Sequence, residues 1–360
     1  MAFKAAVVQA EPEYLNLEAT VEKACNKIRE AGEEGADLIA FGESFIPGYP
    51  WFIWMGPPSW WLPYQQQLYK NALTLPSDEV DALAAAADDA DAHVMIGATV
   101  REGDSLYVSQ VFLNRDGEFE GVHHKLKPTF LERAVWGDGP GETMQVYDTD
   151  IGEIGGLCCW ENMMPLSRYT NYELGEQIHV SAFPGFSMQH VGRLFQEEVN
   201  ITMNRNYAVE GGAFVLMASN VIGESQRDLL CDTEEREEML GKGGGHSEII
   251  APNGQVIGGP LEGDTEDIAY AQVNLDHRIP VKGAFDAVGH YTRPDVANVN
   301  LDLRPNPPVN HQSGMEANQQ GKASDQIAES VESLRDEIRA LGSQLNESAT
   351  ATDSEVTVDE

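Results

Sequence analysis

Apolar runs of strand length alternate with segments of helical period over some 280 residues, and this alternation predicts an α/β fold. Two observations carry it. Phe3–Gln9 (FKAAVVQ) and Leu38–Phe41 (LIAF) read as buried strands, and Leu15–Ala31 between them repeats apolar residues at helical spacing through Val21, Ala24, Cys25 and Ile28. A strand–helix–strand opening of this kind pairs its strands in parallel and turns Cys25 toward the core.

The elements follow in order. Trp51–Trp61, rich in Trp, Phe, Pro and Gly, reads as a packed loop, and Trp60–Lys70 and Glu79–Asp91 as helices. His93–Thr99 and Leu106–Asn114 are strands, with a tight turn at Arg115–Glu118. A further strand runs through Val122 into His123-His124-Lys125. Glu153–Asn162 (EIGGLCCWEN) is a buried strand that stops abruptly, with a helix expected near Pro165, since proline suits a first helical turn. Gln177–Ala182 and Ala213–Ala218 are strands, and His190–Gly211 is a long helix between them. A glycine loop at Gly241–Gly245 leads into Ser247–Ala251, a turn at Pro252-Asn253-Gly254, and a last strand at Asp267–Leu275. This gives one domain over 1–304. Residues 305–324, proline- and glutamine-rich without period, read as a linker. Residues 325–346 carry Ile327, Val331, Leu334, Ile338, Leu341 and Leu345 at heptad spacing, a seam that suggests self-association, and 347–360 read as a disordered acidic tail.

Composition bounds the function. The 360 residues carry 59 acidic against 23 basic groups, a net charge of −36. Eleven acidic and three basic residues fall after Arg304, so the first 304 still hold 48 against 20, net −28. The acidity therefore belongs to the domain and not to the tail. Such a polyanion binds neither nucleic acid nor an anionic membrane electrostatically. At molar salt the Debye length falls to about 3 Å and self-repulsion is screened. The expectation is a halophilic cytoplasm. Four cysteines (Cys25, Cys158, Cys159, Cys231) do not form a disulfide framework, and no apolar run approaches membrane-spanning length.

Chemistry gathers at three strand ends. Glu43 follows an apolar strand and precedes the aromatic IPGYPWFIW, where a solvated loop acid is the alternative. Lys125 and Lys127 lie close together beside Glu132 and Arg133, in a chain with only nine lysines; a surface charge cluster would look the same. Cys158 and Cys159 end the strand before Trp160, and either could be an ordinary core thiol. The adjacent HH and CC pairs lack the separated spacing of structural zinc sites, which argues against a metal. A carboxylate, an ammonium and a thiol nevertheless form a complete set. The thiol is weakly nucleophilic until deprotonated, a glutamate can take its proton, and a lysine can stabilise charge developing on a substrate. Residues so distant in sequence can converge at the shared end of a parallel sheet.

With these residues in view, the chain resembles the nitrilase branch of the carbon–nitrogen hydrolase superfamily over roughly Phe3–Val296. The resemblance rests on FGESFIPGYPWFIW, HHKLKPTFLERAVWGDG, GGLCCWENMMPL, GGGHSEIIAPNGQVIGGP and GHYTRPDV. It implies a four-layer αββα sandwich and a Glu43–Lys125–Cys159 triad with Glu132 as a fourth active-site acid. It also implies a homodimer or larger homo-oligomer, and needs no cofactor. Cys159 becomes the nucleophile and Cys158 a neighbour on the opposite strand face. CWEN, KLKPT…ERAVWG and GHYTRPDV point to hydrolysis of a small nitrile to acid and ammonia, with Tyr49, Trp51 and Trp160 walling an apolar pocket. An amidase or N-carbamoyl hydrolase, a cyanide-hydrating enzyme and a non-catalytic scaffold are the alternatives. His124 replaces a common arginine before the lysine, and Gly42 a common proline before Glu43.

Overall fold

The computed structural model describes residues 2–188 and 197–304. The expected linker, heptad helix and acidic tail, and the first turns of the expected helix 190–211, lie outside these residues. Twelve strands are described: β1 (Ala2–Gln9), β2 (Leu38–Ala40), β3 (His93–Glu102), β4 (Ser105–Leu113), β5 (Phe119–His124), β6 (Tyr147–Thr149), β7 (Gly152–Cys158), β8 (Ile178–Phe183), β9 (Phe214–Ser219), β10 (Glu248–Ile250), β11 (Val256–Gly258) and β12 (Asp267–Asn274). The helices are α1 (Leu17–Glu33), α2 (Pro58–Lys70), α3 (Asp78–Ala90), α4 (Pro165–Glu173), α5 (Glu197–Gly211), α6 (Glu224–Leu230), α7 (Glu234–Met239) and α8 (Arg278–Ala284).

The strands form two six-stranded sheets, ordered β12-β1-β2-β3-β4-β5 and β11-β10-β9-β8-β7-β6. Each has a parallel trio, β1-β2-β3 in one and β7-β8-β9 in the other, continued by antiparallel strands at both sides. Period-two alternation explains why β1 is apolar throughout. Phe3, Ala5 and Val7 meet Ile178, Val180, Phe214 and Leu216 of the second sheet, while Ala6 and Val8 pack under Val21, Ala24 and Ile28 of α1 and Leu83 and Ala87 of α3. On the far side, Leu157, Val215 and Ile250 pack against Tyr172 of α4 and Tyr207 and Ala208 of α5. The result is helix layer, sheet, sheet, helix layer. Cys25 faces the first helix–sheet core, as its spacing implied.

Local chemistry sets the element ends. Asn16 caps α1 through Ala19 N, and Ser77 caps α3 through Val80 N. The β4–β5 turn closes on Asn114 Oδ1, which accepts from the backbone of Asp116 and Glu118. The short helices α6 and α7 were not anticipated, because their few apolar residues lack a readable period. Among the described residues no helix is long and apolar enough to cross a membrane.

Gly97 in β3 shows how closely the first sheet supports the β2 exit. A Cβ there would lie 2.1 Å from Gly42 O and 2.8 Å from Glu43 Cα. Gly97→Ala is expected to destabilise by about 1–3 kcal/mol through overpacking, whereas Gly283→Ala, with nothing within 4 Å, should not destabilise. Urea midpoints of the two variants check this, and equal midpoints would contradict it.

Candidate active site

The expected residues do converge, but not at the end of one parallel sheet. Glu43 follows β2 and Lys125 follows β5 in the first sheet, whereas Cys159 follows β7 in the second. The site lies where the two sheets meet, and backbone bonds tie them there. Glu43 N donates to Phe183 O (3.1 Å) at the end of β8, and Asn220 Nδ2 donates to Glu43 O (2.8 Å). Lys125 N donates to Val108 O and Gly139 N donates to Lys125 O, each at 2.9 Å.

The Lys125 ammonium is wholly buried. Its Nζ lies 3.0 Å from Glu43 Oε2 and 2.9 Å from Glu132 Oε2. Glu132 sits in a short helical turn, Phe130–Ala134, where Oε2 also accepts from Thr129 N (2.6 Å) and Oε1 from the Tyr49 hydroxyl (2.9 Å). Glu43 Oε1 has no hydrogen-bond partner among the described residues, which leaves it free to receive a proton.

The two cysteines separate for a reason other than strand alternation. Cys158 is the last residue of β7, fully buried with Tyr49, Trp51 and Trp136 in an aromatic cluster. Cys159 has left the strand. It opens a helical turn, Cys159–Met163, with φ 46°, a left-handed conformation that costs a non-glycine residue of order 1–3 kcal/mol. Asn162 offsets part of this by donating from Nδ2 to Cys159 O (2.8 Å) and Leu157 O (3.2 Å), while its Oδ1 lies 2.6 Å from His179 Nε2.

The charges of this buried cluster act on one another. Burial pushes the Glu43 carboxyl up to about 8; the Lys125 cation pulls it back and Glu132 pushes it further up. Burial disfavours the Lys125 ammonium, but the Glu132 and Glu43 carboxylates outweigh it and hold the lysine charged. Burial, then the charge of Glu43, raises the Cys159 thiol, with Lys125 opposing.

A partly enclosed pocket of about 550 Å³, its mouth included, opens over this cluster. Its walls include Tyr49, Trp51, Trp54, Trp160, Phe186 and Met188, with Cys159, Glu132 and Asn200 among the lining residues. Tyr49, Trp51 and Trp160 thus all line this pocket. Trp51 Nε1 donates to Gln226 Oε1 (3.0 Å) and Trp160 Nε1 to Asn200 Oδ1 (3.1 Å), so both rings are oriented, Trp51 fully buried and Trp160 half-buried. Glu43 and Lys125 lie beneath the floor, not on the wall. Among the described residues no group of three or more His, Cys, Asp or Glu could hold a metal ion.

Sequence reasoning missed Glu161, Asn162 and Asn220, and the wall residues Phe186, Met188 and Asn200. Asn220 was findable: it follows an apolar strand, as Glu43 does. Glu161 and Asn162 stood in the quoted CWEN string, but only their hydrogen bonds give them work.

The carbon–nitrogen hydrolase family model matches residues 4–282. A nitrilase of Bacillus sp. (strain OxB-1) is 40% identical over 309 residues, covering 86% of this chain and 91% of that protein. An aliphatic nitrilase of Rhodococcus rhodochrous is 39% identical, covering 86% and 85%. Among solved structures, a carbon–nitrogen hydrolase from Helicobacter pylori G27 superposes with a TM-score of 0.65 at 18% identity, over 82% of this chain and 97% of that one, a likeness of fold. The chain belongs to the carbon–nitrogen hydrolase family, in its nitrilase branch.

Glu43 gives the site a stability signature. Its folded pKa, about 8, exceeds its ordinary 4.5, so the native state keeps a proton that the unfolded chain releases above 4.5. The stability tied to that proton is complete below pH 4.5 and is lost as pH rises toward 8. Glu43→Gln, which cannot ionise, should therefore gain on the parent in thermal midpoint as pH rises from about 5 to 8. A pH-independent difference would contradict the assignment.

Proposed function

We propose that the protein is a nitrilase that hydrolyses an organic nitrile to its carboxylic acid and ammonia, with Cys159 as nucleophile. The observation that carries this is the Cys159 thiol in an apolar pocket, under the charge of Glu43, Lys125 and Glu132. Relatives bearing the name nitrilase, matched across most of their length, favour a nitrile over an amide.

In this mechanism Glu43 takes the thiol proton and the thiolate attacks the nitrile carbon, giving a thioimidate. Water activated by Glu43 adds, ammonia leaves, and a second water releases the acid from the thioester. Lys125 stabilises the tetrahedral intermediates. Glu132 fixes Lys125 and faces the substrate nitrogen, and Tyr49, Trp51 and Trp160 hold the apolar group. Only ionised Glu43 can act as base, so kcat/KM should rise with pH along a limb near 8.

The acid spread through the first 304 residues supports a halophilic, cytoplasmic setting, and the heptad seam of 325–346 supports a homodimer or larger assembly.

Assayed at molar salt, the parent should release ammonia and acid from nitriles, and Cys159→Ala should lose at least about 10⁴-fold in kcat. Ammonia from amides alone, or full turnover by Cys159→Ala, would refute the proposal. On dialysis into dilute buffer, activity and the assembly seen by light scattering should both decline; retention of both would sink the halophilic reading.

A further inference from the structure

Glu161 lies two residues after the nucleophile and is wholly buried, yet the mechanism above gives it no role. Its carboxylate has three partners. Oε1 accepts from Leu126 N (2.9 Å), the residue after Lys125. Oε2 accepts from Cys158 N (3.1 Å), the residue before Cys159, and lies 2.9 Å from His123 Nε2. One side chain thus binds the backbone beside the cation and the backbone beside the thiol, across the seam between the sheets.

The protons can be counted. His123 Nδ1 faces Thr143 O (3.1 Å), which can only accept, so this nitrogen carries a proton. Nε2 faces a carboxylate that already accepts two backbone N–H groups, so it donates too. His123 is then an imidazolium, charge-paired with Glu161. The electrostatics agree. Burial disfavours both charges, but each partner outweighs it in the other, so His123 is raised and Glu161 lowered.

We propose that Glu161, held charged by His123, is a positioning residue that sets the separation between the Cys159 sulfur and the Lys125 ammonium, and so governs how the tetrahedral adduct on Cys159 collapses. This rests on the nitrile reading. After water adds across the thioimidate, one carbon bears the substrate group, sulfur, a hydroxyl and an amino group. If the C–N bond breaks, its electron pair leaves on nitrogen, which takes a proton and departs as ammonia. The hydroxyl loses its proton, and the thioester proceeds to acid. If the C–S bond breaks, the pair returns to sulfur as thiolate, the hydroxyl again loses its proton, and an amide leaves. Moving Cys159 relative to Lys125 and Glu132 takes the nitrogen away from the groups that promote its departure, which favours amide.

The test is nitrile turnover with acid and amide quantified for the parent, Glu161→Gln and His123→Gln. Glu161→Gln should lower kcat about 10²-fold, the scale of a 1 Å misplacement, with KM changed less than about threefold. Its amide fraction should rise several-fold, and His123→Gln should shift the same way by less. The amide fraction is a ratio of products, so it is read on whatever folded enzyme is recovered and does not respond to a loss of active protein. If Glu161→Gln yields no folded protein, His123→Gln, which leaves both backbone bonds to Glu161, decides by the same ratio. Parental product ratios in the folded variants would overturn the proposal and leave Glu161 merely structural. A parent that forms no acid from nitriles would overturn the nitrile reading first, and this proposal with it.

Discussion

A lysine ammonium removed from water between two carboxylates is the constraint on which this site depends. Desolvating one cation and two anions is expensive, and the attraction repays it only when geometry and remaining hydrogen bonds are good. Here Lys125 Nζ is shared between Glu43 and Glu132 at 3.0 and 2.9 Å, and Glu132 is further satisfied by Tyr49 and Thr129. The balance leaves one acid in excess. That excess appears as the raised Glu43 carboxyl, a base that titrates near 8 beside a thiol that burial has raised as well.

Holding such a cluster requires both sheets. The first contributes Glu43 and Lys125, the second Cys159, and Glu161, Asn220 and the Glu43 backbone cross between them. Each crossing bond replaces water that a buried backbone group would otherwise need. Two of the five described non-glycine residues with positive φ lie at the same places. Ser44, directly after Glu43, has φ 50°, and Cys159 has φ 46°. Both are short turns that aim a side chain at the seam, and both are over-determined by hydrogen bonds and packing around them. The burial of Glu43 and Lys125 beneath the aromatic pocket keeps their charges strongly interacting.

Much of this was legible in the sequence. Apolar strands ending in Glu43, in His-His-Lys125 and in Cys-Cys-Trp marked the positions where reactive groups emerge, and α1 and β1–β3 followed from period alone. What alternation could not supply was the partition of strands into two sheets, since both sheets have the same apolar pattern; that came with the family resemblance. Nor could period two explain Cys159, whose side chain departs from the strand direction through a left-handed turn. Glu161 and Asn162 were unreadable for a related reason. Their work is done through backbone groups of Leu126, Cys158, Leu157 and Cys159, and a backbone donor or acceptor leaves no mark on its residue type.

The central claim is that the sulfur of Cys159, and not that of Cys158, carries the substrate. Rapid acid quench of the enzyme turning over a nitrile, followed by mass spectrometry of the peptide containing both cysteines, tests this most directly. Fragment ions should place the acyl or imidoyl mass on Cys159 and leave Cys158 unmodified. An adduct on Cys158, or steady turnover with no adduct on either sulfur, would contradict the account.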